Sequence, residues 1–163
     1  MKFLFVDTAG WMACADAADR VHAKACAGRD KWLEQEGHLL TTDYVIDETL
    51  TLLRIRLGLE AAENWWHTLA ASSRLRREAI HAERAERARG IFFRYRDKDF
   101  SFTDCSSFAL MREMRIRQAL TTDLHFTQAG FQVVPKLISN RPSGVLAGGI
   151  TQRSLSFGRK RTR

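Results

Sequence analysis

Short apolar runs alternate with longer helix-patterned stretches along most of this chain, and few folds accommodate that alternation. Phe3-Leu4-Phe5-Val6 reads as a short buried strand closed by the charge of Asp7. A helical stretch follows from about Trp11 to Glu36, in one or two pieces, and Gly37 ends it. His38–Thr42 reads as a second strand. Thr42 or Asp43 then caps a helix running to Leu57, which Gly58 terminates. Another helix is expected from about Glu60 to Ala71, a weak strand at Leu75–Ile80 and a helix over Glu83–Tyr95. After a loop at Asp97–Phe102, Thr103 is a suitable N-cap for a helix from Asp104 to about Ile116. Ala119–Thr122 and Gln132–Val134 read as the last strands. Strands separated by helices predict an α/β fold with a mainly parallel sheet.

A parallel sheet gathers ligands at the carboxyl ends of its strands, and this sequence puts acids there. Asp7 follows the first strand, and Asp123 follows Gln118-Ala119-Leu120-Thr121-Thr122. Glu48 and Asp104 lie on the helices between. Four converging carboxylates repel one another unless a cation sits among them. The pattern therefore predicts an oxygen-only site for Mg²⁺ or Mn²⁺.

Each acid also has an ordinary explanation. Asp7 before Thr-Ala-Gly can simply cap a helix, and Asp104 in a first helical turn favours the helix dipole. Asp123 can be a turn residue before Leu124-His125-Phe126. Glu48 is the most unusual. At 100° per residue it falls between Leu52 and Ile55, beside Tyr44, on a face expected to point to the core. A carboxylate there is costly unless paired, protonated or metal-bound; a buried ion pair with an arginine is the plainer alternative. Its neighbour Asp47 joins Asp43, Thr51 and Arg54 on the polar face and should be exposed.

At 163 residues, 45% of them hydrophobic, the chain fits one domain with a sizeable core. No apolar run approaches the roughly 20 residues of a membrane helix, and Asp7 comes too early for a signal peptide. Cys14, Cys26 and Cys105 form no CxxC pair, which suits free thiols in a reducing cytoplasm. The five histidines lack zinc-site spacing with those cysteines. The sequence contains no GxGxxG, GxxxxGK[ST] or GxSxG motif.

The net charge of +7 is uneven. Residues 139–163 hold six basic side chains (Arg141, Arg153, Arg159, Lys160, Arg161 and Arg163) and no acid. This Gly/Ser/Arg-rich tail is set apart from a domain at residues 1–138 and is expected to be flexible. Residues 74–96 hold eight Arg against three Glu. That band can grip a polyanion by its phosphates, or it can be a solvated helix laced by pairs such as Glu83–Arg87. Trp65-Trp66 and Phe92-Phe93 can stack on bases or serve as core and dimer contacts.

Four segments together resemble the PIN-domain ribonucleases, in particular the VapC-type toxins of bacterial toxin–antitoxin pairs. They are Phe5-Val6-Asp7-Thr8, Thr42-Asp43-Tyr44-Val45-Ile46-Asp47-Glu48-Thr49-Leu50, Ser101-Phe102-Thr103-Asp104-Cys105 and Leu120-Thr121-Thr122-Asp123-Leu124-His125-Phe126. The resemblance covers roughly residues 1–135. It implies a three-layer fold with a four- or five-stranded mainly parallel sheet flanked by helices. It also implies an acidic triad of Asp7, Glu48 and Asp104, Asp123 as a fourth acid, and Thr8 and Thr103 as small polar helpers. The expected activity is Mg²⁺- or Mn²⁺-dependent endoribonuclease cleavage of single-stranded RNA loops. The expected partners are RNA, a cognate antitoxin and a second copy of the chain. Two rival readings are an RNA-processing or quality-control nuclease without an antitoxin, and a catalytically silent nucleic-acid-binding module. A receiver domain is excluded, because it needs an acidic pair after the first strand and Asp7 is followed by Thr8-Ala9.

Overall fold

The computed structural model describes residues 1–136. The expected boundary at 138 and the basic tail lie outside them. In chain order the elements are β1 (Phe3–Val6), α1 (Thr8–Ala15), α2 (His22–Glu34), β2 (His38–Thr42), α3 (Asp43–Leu57) and α4 (Leu59–Ala71). There follow β3 (Leu75–Glu78), α5 (Ala82–Arg94), α6 (Phe102–Glu113), β4 (Gln118–Leu120), α7 (Leu124–Gln128) and β5 (Gln132–Val134). All five strands are parallel, in the order β3-β2-β1-β4-β5. The chain builds outward from β1 on one side and then returns to pair β4 with β1 on the other. The point where the direction reverses, between the ends of β1 and β4, is where α/β sheets open a crevice.

The core explains why these segments take these forms. Leu4, Phe5, Val6, Leu40 and Leu120 are fully buried from the strands. A buried strand of a parallel sheet needs such runs because helices cover it. Phe108 on α6 and Phe126 on α7 meet edge to face at 5.0 Å, and Phe5 stacks on Phe126 at 6.0 Å. Each such side chain contributes about 1.5–3 kcal/mol by leaving water.

Two glycines have specific reasons. Gly58, at φ +94°, lets α3 end and α4 begin without a Cβ penalty. Gly10 lets α1 press against β4, since a Cβ there would lie 2.1 Å from the Leu120 carbonyl oxygen.

Two readings need correction, and one open reading is narrowed. The cap of α6 is Ser101, not Thr103, and the helix ends at Glu113. Ser101 and Asp104 form a reciprocal capping box, which is stronger than a lone Thr cap. Leu124–Gln128 is a helix that one turn of sequence was too short to announce. In the arginine band, Arg76, Arg84, Arg87 and Arg89 are ion-paired, half of its eight arginines. Arg84 is buried and bonds Glu78 on β3 at 2.7 Å and Glu113 on α6 at 2.9 Å. Arg87 bonds Glu83 at 2.7 Å, and Arg89 bonds Glu86 at 2.7 Å. The ion-paired reading thus holds for Arg84, Arg87 and Arg89 of α5. No helix among the described residues is long and apolar enough to cross a membrane.

Candidate active site

Asp7 leaves the end of β1 and caps α1, its Oδ1 accepting the Gly10 amide at 2.8 Å. Its Oδ2 accepts the Thr121 hydroxyl at 2.9 Å, and the same Thr121 oxygen accepts the Asp123 amide at 2.8 Å. Thr121 is fully buried and so ties the ends of β1 and β4 together. Asp123 caps α7 through the His125 amide at 2.8 Å. The capping box turns Asp104 inward on the first turn of α6. Three of the acids therefore hold helix termini, the ordinary role foreseen for Asp7 and Asp104, whereas Asp123, read as a turn residue, caps α7. The cap geometry is also what aims them at one another.

Asp104, Asp123 and His125 each offer a ligand atom, and these atoms lie within 4.8 Å of one another. His125 Nδ1 is 3.0 Å from Asp104 Oδ2 and 3.5 Å from Asp123 Oδ2. In the Nδ1–H tautomer the ring donates toward the two carboxylates. Phe100 packs edge-on against that ring at 5.4 Å, and buried Phe126 anchors the next position. The sequence reading missed both Thr121 and His125. Proximity to Asp123 was the available signal for each.

Asp7 stands beside this group. Burial pushes its carboxyl up from 3.8 to about 8, the Gly10 and Thr121 hydrogen bonds pull it down, and the charges of Asp123 and Asp104 push it further up. Glu48 stands outside the tight group and reaches it through Thr8, whose hydroxyl donates to Glu48 Oε2 at 2.6 Å. The face of α3 that carries Glu48 is not the core face. Val45, Thr49 and Leu53 are buried, whereas Ile55 is 74% exposed. Glu48, Tyr44, Leu52 and Thr103 instead line an open cleft of about 680 Å³. Asp47 is exposed, as the wheel indicated. Thr8 therefore contacts the site through its hydroxyl; Thr103 lines the cleft, and its carbonyl accepts the Ser106 and Ser107 hydroxyls at 2.8 and 2.9 Å.

A buried acid raised by desolvation and by neighbouring carboxylates is relieved by a positive charge placed among them. The PIN-domain family model matches residues 4–132, most of the chain. The chain belongs to the PIN-domain family. The 23S rRNA-specific endonuclease VapC20 of Mycobacterium tuberculosis is 36% identical to it over 132 residues, covering 78% of this chain and 95% of VapC20. The crystal structure of VapC20, a sarcin-ricin loop cleaving toxin, superposes with a TM-score of 0.71 at 34% identity, covering 78% of this chain and 95% of that one. FitAcB from Neisseria gonorrhoeae shares the fold alone, with a TM-score of 0.56 at 14% identity over 80% and 96% of the two chains. This PIN domain is accordingly an endoribonuclease of the VapC type.

Proposed function

We propose that this PIN-domain protein is the toxin of a VapBC-type pair, that it cleaves a structured ribosomal RNA loop, and that it needs Mg²⁺ or Mn²⁺. The observation that carries the metal reading is the Asp104–Asp123–His125 group with the buried Asp7 carboxyl beside it. Hard carboxylate oxygens suit these two ions better than softer metals. Asp7, Asp104 and Asp123 would hold the ion, with Glu48 completing the site across Thr8. A bound ion lowers the pKa of a coordinated water and stabilises charge on the scissile phosphate. The chain's own contribution is positional. Thr121 fixes Asp7 relative to Asp123, His125 orients Asp104 and Asp123, and Glu48 is available to accept a proton from the attacking water.

The rRNA target rests on kinship to VapC20, at 36% identity over 132 residues and 95% of VapC20's length. Exposed apolar side chains support protein partners, both an antitoxin and a second copy. Tyr44, Phe102, Phe92 and Phe93 form a run of rings 5.3–6.2 Å apart, and Phe93 is 61% exposed. The free thiols of Cys14, Cys26 and Cys105 fit a cytoplasmic location.

The test is cleavage of a sarcin–ricin-type RNA stem-loop by the purified chain with Mn²⁺, Mg²⁺ or chelator. Glu48→Gln and Asp104→Asn should each cost about 100-fold or more in kcat, while Asp47→Asn, at an exposed carboxylate on the rim of the same cleft that makes no side-chain hydrogen bond to the acid group, stays within about twofold. Full activity in chelator, or loss in Asp47→Asn with retention in Glu48→Gln, would sink the assignment.

A further inference from the structure

We infer that the cleft between the α1–α2 turn and the end of β5 is a phosphate-binding subsite that holds the RNA backbone on one side of the scissile bond. This rests on the ribonuclease reading above and gives that site a direction. The cleft encloses about 510 Å³ and is lined by Arg20, Lys24, Lys136, Thr122 and Leu124, with Asp19 also on its wall. The three cations come from three separate places: the turn after α1, the first turn of α2 and the chain just past β5. All three are exposed.

Two observations separate this group from an ordinary charged surface. First, among the described residues, none of Arg20, Lys24 and Lys136 forms an ion pair. Three of the four α5 arginines, Arg84, Arg87 and Arg89, are by contrast engaged with glutamates. Asp19, the one acid on the wall, turns an oxygen to the Val21 amide at 2.8 Å. Second, Thr122 and Leu124 are the residues on either side of Asp123, so the cleft shares a wall with the acid group. The cleft on the other side, along α3, carries Asp43, Asp47 and Glu48 and no cation.

The acids therefore stand between a basic cleft and an acidic one. A polyanion crossing them is attracted on the β4–β5 side and repelled on the α3 side. An arginine fork and two lysine ammonium groups are donors suited to phosphate oxygens. Three such contacts match two or three successive phosphates of one strand. The half-exposed Thr122 and the exposed Leu124 offer a hydroxyl and an apolar surface to the sugar between them.

The experiment uses the full chain and the RNA stem-loop that it cleaves with Mn²⁺. Arg20→Ala, Lys24→Ala and Lys136→Ala are made singly and together, with Arg89→Ala as the control that breaks only a surface pair. The triple variant should raise KM tenfold or more at about 0.1 M salt and flatten the salt dependence of kcat/KM by about 2 in the log–log slope, at about 0.7 per phosphate contact. Each single change should give about a third of that slope effect, which keeps the measurement readable if the triple variant melts early. Uncharged methylphosphonate linkages, placed one at a time around the cleavage point, should weaken the unaltered protein on one side only. In the triple variant the same replacements should cost nothing further. An unchanged KM and slope overturn the inference, as do methylphosphonate losses that persist undiminished in the triple variant. Failure of the unaltered protein to cleave any RNA would instead remove the ribonuclease reading, and this inference with it.

Discussion

Asp7 is 5% exposed, and it is held with its proton on until about pH 8. The consequence for stability has a definite sign. Below its ordinary value of 3.8 the folded and unfolded chains both carry the proton, and Asp7 costs nothing. Between 3.8 and about 8 the unfolded chain releases the proton and the folded chain keeps it, so stability falls as pH rises. Above about 8 the cost is constant. The metal-free protein should therefore lose stability across that window, and Asp7→Asn should flatten the loss, read from melting temperature against pH in chelator. Binding of Mn²⁺ below pH 8 should displace this proton, so its affinity should rise with pH. A melting profile identical in the two proteins would show that Asp7 ionises normally. Asp7, Asp104 and Asp123 stood out in the sequence because each follows a strand or lies in a first helical turn, and Glu48 because it shares a helix face with apolar residues. Thr121 was not, since Thr121 and Thr122 are indistinguishable until the pleat decides which one faces Asp7. His125 was hidden because metal-site spacing was sought only against cysteines, and a five-residue helix has no periodicity to reveal its face.

At the scale of elements, Arg84 fastens three of them. Its guanidinium bonds Glu78 on β3, the Ala79 carbonyl and both oxygens of Glu113 on α6, from a helix of its own. Arg84→Ala should lower stability by about 3 kcal/mol, the low end for a broken buried ion pair, because Glu113 is 30% exposed. Urea denaturation should show the midpoint moving with little change in slope. A loss under 1 kcal/mol would mean that water replaces the guanidinium freely. The strands and most helices were readable from apolar runs and from glycine stops. The face of α3 was misread because a helical wheel reports which residues are apolar and not what lies opposite them. Tyr44 and Leu52 border a cleft, and Ile55 is exposed to solvent. The arginine band was ambiguous for a related reason. Glu113 is distant in sequence, so the pairing of Arg84 could not be anticipated from local spacing.

For the molecule as a whole, the candidate site is assembled from positions 7, 48, 104 and 123, and β4 must lie against β1 before the last of these arrives. Chain fragments 1–96 and 97–163 should each be inert toward RNA, measured against the intact chain at equal concentration. Activity in either alone would show that a subset of the acids suffices. The order of synthesis adds a safeguard. While the early helices emerge, the open edge of β1 holds Asp7 without Thr121, Asp104 or Asp123 to complete it. A ribosome translating this nuclease thus never carries a working copy until nearly all of the domain has been made. An enzyme that attacks RNA is assembled beside a vast supply of it, and chain order alone delays the danger to the moment of release.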